Sequence, residues 1–289
     1  MDTCKWSGGI ELTETLVETV KLVDIEASRL KSFLEGLDED QWSQDSSCEG
    51  WSVADVAAHL SAGANNWATS ISRAVKGDSG PPAGQTPLAP GDRGSEAISQ
   101  SAISYRQGAG SGLFEKFSAG YDLLKQSLSE LKEEDWEKPC YHRRGPMPIR
   151  ELVAVRVQEL AIHGWDIRWG IDKSAELGEE PLSMLAGRVP RWLRIAFIPD
   201  LDLPVPVRYR FDIPGPVEIR QDVVVDSDAF RLEALGSGRA DAVFRCDTGN
   251  YILLIYGRLD ANEASRDGRL EITGSKEQAA NFTSWFKGF

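Results

Sequence analysis

The sequence predicts an N-terminal all-α four-helix bundle over residues 1–178 and a C-terminal α+β domain over residues 179–289. Two patterns carry this prediction. Apolar residues recur every three or four positions through the first part, which marks one face of a helix. Beyond residue 205 they alternate at period two, which marks a half-buried strand. A length of 289 residues with 41% hydrophobic content is enough for two ordinary domains with real cores.

The first helix follows from Leu12, Leu16, Val20, Val23, Ala27, Leu30 and Leu34, and "GLDEDQW" ends it. The second starts at "GWSVADVAAHL", where Ser52 is a good N-cap and Asp55 completes a capping box. Val53, Val56, Leu60, Trp67 and Ile71 continue it. Residues 77–94, "GDSGPPAGQTPLAPGDRG", form a loop by composition. The third helix runs through Leu113, Phe117, Tyr121, Leu124, Leu128 and Leu131, and the fourth covers about 148–170. A short echo links "LDEDQW" and "LKEEDW", each of which leads through a turn into a helix. The echo suggests pseudo-twofold packing, with the second and fourth helices meeting near the axis.

A helix over 180–197 opens the C-terminal domain. Val205, Val207, Tyr209, Phe211 and Ile213 then fall on one strand face. "VEIRQDVVV", "FRLEAL", "ADAVFRCD" and "LEITGS" are further strands, while "TGNYILLIYGRL" and "SKEQAANFTSWF" read as helices. Strands with a few helices imply α+β.

Composition excludes several classes of function. A net charge of -13 opposes binding to a phosphate backbone, so no nucleic-acid partner is expected. No apolar run approaches the ~18 residues of a membrane span, and no secretory signal opens the chain. A cytoplasmic protein without a membrane partner is expected, as a monomer or weak homodimer. Cys4, Cys48, Cys140 and Cys246 lie far apart, without a CxxC pair, and read as isolated thiols.

"ELAIHGWDIRWG", residues 159–170, carries the chemistry. Four helical residues leave side chains roughly 40° apart, so Glu159 and His163 project together. Apolar residues surround them, and a buried charge is costly unless it is paired or bound to metal. His59 interrupts the second helix in the same way. If the two helices face each other, His59, Glu159 and His163 form a three-donor set that zinc accepts, with a fourth position open. A Glu and a His at this spacing can also simply hydrogen-bond each other, and spacing alone leaves that open. Asp166 either orients the imidazole of His163 or faces solvent. Arg156 is expected to neutralise Glu159, with binding of an anionic ligand as the alternative. His142 reads as a surface residue.

"CEGWSVADVAAHL", followed about a hundred residues later by "ELAIHGWDI", resembles the mycothiol-dependent maleylpyruvate isomerase family of the DinB-like superfamily. The segment from "ADAVFRCD" to "LEITGS" is similar to the sterol-carrier-like domain often fused behind that bundle. The resemblance implies a divalent metal, with zinc as the expected ion, held by His59, Glu159 and His163. It also implies mycothiol or a similar low-molecular-weight thiol as cosubstrate and a small electrophile as substrate. The thiolate is the nucleophile, and the product of its addition distinguishes a cis–trans isomerase from an S-transferase. No side chain stands out as general base. Arg258 and Arg269 can reach a substrate carboxylate or serve as surface charges. The alternatives are a metal-dependent hydrolase, with Asp55 or Asp166 as base, and a non-enzymatic carrier of apolar molecules in the C-terminal domain.

Overall fold

The computed structural model describes residues 15–89, 94–236 and 238–287. Two compact units divide it, one spanning Glu14–Gly178 and the other containing Glu179–Phe289.

The first unit is helical. Its elements are α1 (Leu16–Glu35), α2 (Glu39–Ser43), α3 (Val53–Val75), α4 (Ser95–Ala109), α5 (Leu113–Ser129) and α6 (Ile149–Ile171). A two-stranded ribbon, β1 (Pro139–Cys140) and β2 (Met147–Pro148), precedes α6. Four long helices pack in a ring, α1 on α6, α6 on α3, α3 on α5 and α5 on α1. The third and sixth helices therefore share a face, as the echo suggests. Both echo segments form a single helical turn, α2 and the 3₁₀ turn Glu133–Asp135.

Local chemistry sets the start of α3. The Ser52 hydroxyl accepts from the Asp55 amide, and the Asp55 carboxylate accepts from the Ser52 amide. Thr15 and Glu18 do the same for α1. The predicted start at Leu12 lies outside the described residues. Helix α6 buries residues on nearly every side, including Leu152, Val153, Val157, Leu160 and Trp165. It is thus a central helix rather than an amphipathic surface one. Each such fully buried apolar side chain contributes about 2 kcal/mol.

One long helix has no counterpart in the expected set. Helix α4 buries only Ala102, so it lacks the apolar stripe by which the others are legible. Polar contacts fix it to α3 instead. Tyr105 meets Ser61 at 2.9 Å, and Arg106 meets Asp55 at 2.7 Å. Residues 90–93 of the expected 77–94 loop lie outside the described residues; before them, the Leu88 amide donates to the Arg143 carbonyl at 2.8 Å.

The second unit begins with α7 (Leu182–Ala196). Strands β3 (Val207–Ile213), β4 (Ile219–Val225), β5 (Phe230–Ala234), β6 (Ala242–Arg245) and β7 (Glu271–Gly274) form one sheet in the order β5-β4-β3-β6-β7. Only β3 and β6 pair in parallel. Helices α8 (Thr248–Ile255) and α9 (Ala261–Arg266) lie between β6 and β7, and α10 (Lys276–Trp285) packs on the sheet. Tyr209, Phe211, Phe244, Tyr251 and Phe282 pack ring against ring as its core. On the other face, buried Asp222 accepts from both Arg208 and Arg210. No described helix is long and apolar enough to cross a membrane.

Candidate metal centre

Helices α3 and α6 present His59, Glu159 and His163 to one another. The Nε2 atom of His59 lies 3.0 Å from Oε2 of Glu159, and His163 Nε2 lies 3.9 Å from the same oxygen. The two imidazoles meet edge to face with centroids 5.0 Å apart. One donor atom from each of the three residues falls within 4.8 Å of the others. Their side chains remain 22%, 27% and 17% exposed, so the cluster is partly open to a ligand.

Asp166 is fully buried, which removes the solvent-facing alternative. Its Oδ2 lies 2.9 Å from Nδ1 of His163. With Nδ1 donating there, Nε2 is the nitrogen that faces the cluster, and it offers a lone pair once its proton is lost. Charges follow from these contacts. Burial opposes ionisation of Glu159, but the His59 hydrogen bond and the nearby His163, His59 and Arg156 hold its carboxyl well below the usual range. Burial holds His59 below its ordinary value, against the pull of Glu159. Burial also opposes the charged form of His163, yet its bonds to Asp166 and Cys48 outweigh that and raise it to about 10.

Arg156 makes no direct ion pair with Glu159, although its charge is near enough to favour the carboxylate. Arg156 is buried and points across to α3 and α5, where it donates to the Leu60 carbonyl and the Tyr121 hydroxyl. The spacing places Arg156 and Glu159 on one side of α6, but the long guanidinium stem carries its head away to the neighbouring helices. Arg258 and Arg269 belong to the second unit. There Arg258 donates to the Tyr256 carbonyl and Arg269 binds the Asp267 carboxylate.

Residues 23–168, half of the chain, match the family model of the mycothiol maleylpyruvate isomerase N-terminal domain. The chain belongs to this family. Residues 207–287 match the SCP-2 sterol transfer family, so the isomerase-family helical region is followed by a sterol-carrier-like domain. Two solved structures share the fold. One is the crystal structure of the mycothiol-dependent maleylpyruvate isomerase, with a TM-score of 0.62 and 17% identity over 85% of this chain and 90% of that one. The other is a histidine-to-alanine mutant of such an isomerase, with a TM-score of 0.60 and 17% identity over 90% and 93%. At this identity the likeness establishes the fold. No curated protein matches the chain.

Within this member of the isomerase family, two residues join the site that periodicity did not reveal. Both come from "CEGW", the turn before α3. The Cys48 thiol donates to Asp166 Oδ2 at 3.0 Å, and its sulfur lies 3.7 Å from His163 Nδ1. The Trp51 ring stands edge-on to His59 at 5.5 Å, and its indole nitrogen donates to Ser99 on α4. The turn is docked on α6, with the Ser47 amide donating to the Asp166 carbonyl. A Cβ on Gly170 would lie 2.6 Å from the Asp45 carbonyl oxygen, so glycine permits the close approach. The Cys and Trp side chains therefore back one histidine of the cluster each. Cys48 read as an isolated thiol, although both residues lie in the "CEGWSVADVAAHL" motif that carries the family resemblance.

Proposed function

We propose that this protein is a metal-dependent enzyme that uses mycothiol, or a similar low-molecular-weight thiol, to isomerise a small electrophilic substrate such as maleylpyruvate. The convergence of His59, Glu159 and His163 carries this reading. Two imidazole nitrogens and one carboxylate oxygen suit zinc, and three protein donors leave a position for a ligand. When bound at these residues, the metal favours the thiolate form of a coordinated thiol.

The chain's own residues prepare that site. Asp166 holds His163 with Nε2 directed at the cluster. Glu159 is held ionised and His59 neutral, which are the states that bind metal. The thiolate adds to the activated double bond of the substrate. Rotation about the resulting single bond and elimination of the thiol give the isomer and return the thiol. An S-transferase would share the addition and release the adduct; the family relationship favours the isomerase.

The rival readings draw less support. Hydrolysis needs a carboxylate base, and Asp55 is engaged by Ser52 and Arg106 while Asp166 is engaged by His163 and Cys48. A carrier reading rests on the match of residues 207–287 to the SCP-2 sterol transfer family alone.

The test is metal analysis of the purified chain, then turnover of maleylpyruvate by the zinc-loaded protein with and without mycothiol. Isomerisation should require both, and His59→Ala should lose metal and activity together. Retention of metal by His59→Ala would overturn the ligand assignment. Turnover indifferent to the thiol would overturn the thiol reading.

A further inference from the structure

We infer that Arg156 is a positioning residue for the metal centre, a buried clamp that fixes α3 against α6 in the one register where His59 meets Glu159 and His163. This rests on the metal reading above.

Arg156 is 1% exposed, and among the described residues no carboxylate forms an ion pair with it. Its guanidinium lies between two rings, 5.1 Å from the centroid of Trp67 on α3 and 5.0 Å from that of Tyr121 on α5. One nitrogen, Nη2, donates to both the Leu60 carbonyl and the Tyr121 hydroxyl. The Nε atom is buried without a hydrogen-bond partner. A buried cation in direct contact only with rings and neutral acceptors, and reached by the Glu159 charge only through space, is expensive, and an apolar side chain of similar length would fill the space at lower cost. The guanidinium adds a directed bond between helices.

That bond has a specific place. Leu60 directly follows His59 on α3, and Arg156 precedes Glu159 by three residues on α6. The clamp thus joins the turn that carries His59 to the turn that leads into Glu159, with His163 one turn further on. A slip of one residue along a helix is about 1.5 Å, whereas metal–ligand distances tolerate only about 0.2 Å. The opposing helix is shaped to receive the clamp. A Cβ on Gly63 would stand 2.7 Å from Nη1 of Arg156. Glycine inside a helix costs about 1 kcal/mol relative to alanine, so both positions favour the clamp over local stability.

The test uses the full chain and reads metal binding rather than turnover. Co²⁺ affinity is measured by chelator competition and the ligand-field spectrum, beside thermal unfolding of the metal-free protein. Arg156→Met and Arg156→Lys should both weaken Co²⁺ binding at least tenfold, since lysine keeps the charge but loses the planar fork. Metal-free Arg156→Met should melt no lower than wild type. Gly63→Ala should weaken binding too, and adding it to Arg156→Met should weaken binding no further, because both act through one contact. Wild-type affinity in Arg156→Lys would overturn the clamp, as would unchanged or tighter binding in Arg156→Met. If Arg156→Met does not fold, Arg156→Lys and Gly63→Ala carry the test. Undiminished binding by His59→Ala would instead overturn the metal reading beneath the clamp.

Discussion

Oδ2 of Asp166 lies 2.9 Å from Nδ1 of His163, a full turn along the same helix, and Asp166 is wholly buried. The carboxylate fixes both the tautomer and the tilt of the ring. Asp166→Asn keeps the shape but can present an amide N–H to Nδ1, which favours the wrong tautomer. Zinc affinity should fall about 10- to 100-fold, measured by chelator competition. Unchanged affinity would remove Asp166 from the site.

Metal binding should release a proton. Without metal, His163 is held up to about 10 and carries a proton at neutral pH, whereas the bound form needs a free Nε2. Apparent affinity should therefore rise about tenfold per pH unit through the neutral range and level off near the raised value. Calorimetry in buffers of different ionisation enthalpy would count the proton. The metal-free bundle behaves in the opposite sense. The contribution of His163 to its stability is full below the ordinary value of 6.5 and is lost as pH rises through about 10.

Thiol reactivity should single out Cys48. Cys140 and Cys246 are buried, and burial pushes both thiols up to about 12, while Cys48 is half-buried beside the donors. In a Cys4→Ser background, a small aromatic disulfide reagent should label one thiol per native chain, and Cys48→Ser should abolish the signal. Equal labelling after that change would show that another cysteine is the reactive one.

Acid should loosen the second unit first at Asp222. Burial opposes its ionisation, but Arg210 and Arg208 outweigh that and hold its carboxyl below the ordinary 3.8. A depressed folded value means stability that is present above about 4 and lost as pH falls through the lower value. Asp222→Asn strips two guanidiniums of a shared partner. Arg208 keeps Glu233 and Arg210 keeps two loop carbonyls, so the loss should be about 2 kcal/mol, read by urea unfolding at pH 7. A melting curve unchanged between wild type and variant would mean the pair is solvated and weak.

Much of this molecule is legible in its sequence because apolar periodicity and capping chemistry are local. Ser52 and Asp55 announce α3, and alternation from Val207 to Ile213 announces β3. His59, Glu159 and His163 are legible for a related reason, since each is a polar residue among apolar neighbours in its helix. Helix α4 escaped because its attachment is polar and only Ala102 is buried. Cys48 and Trp51 escaped because a turn has no period, and their relation to the histidines exists only after α3 and α6 pack. The direction taken by Arg156 was hidden likewise, since spacing fixes where a side chain leaves the helix but not where a four-bond stem delivers its charge.

The meeting of His59 and Glu159 across a hundred residues of chain also has a consequence for biosynthesis. During translation at roughly 5–20 residues per second, His59 emerges seconds before either partner on α6. The nascent chain therefore offers the metal no complete donor set until the end of the helical unit has left the ribosome. On the proposed metal reading, metal capture then marks completion of that unit, and a chain truncated before residue 163 should bind no zinc.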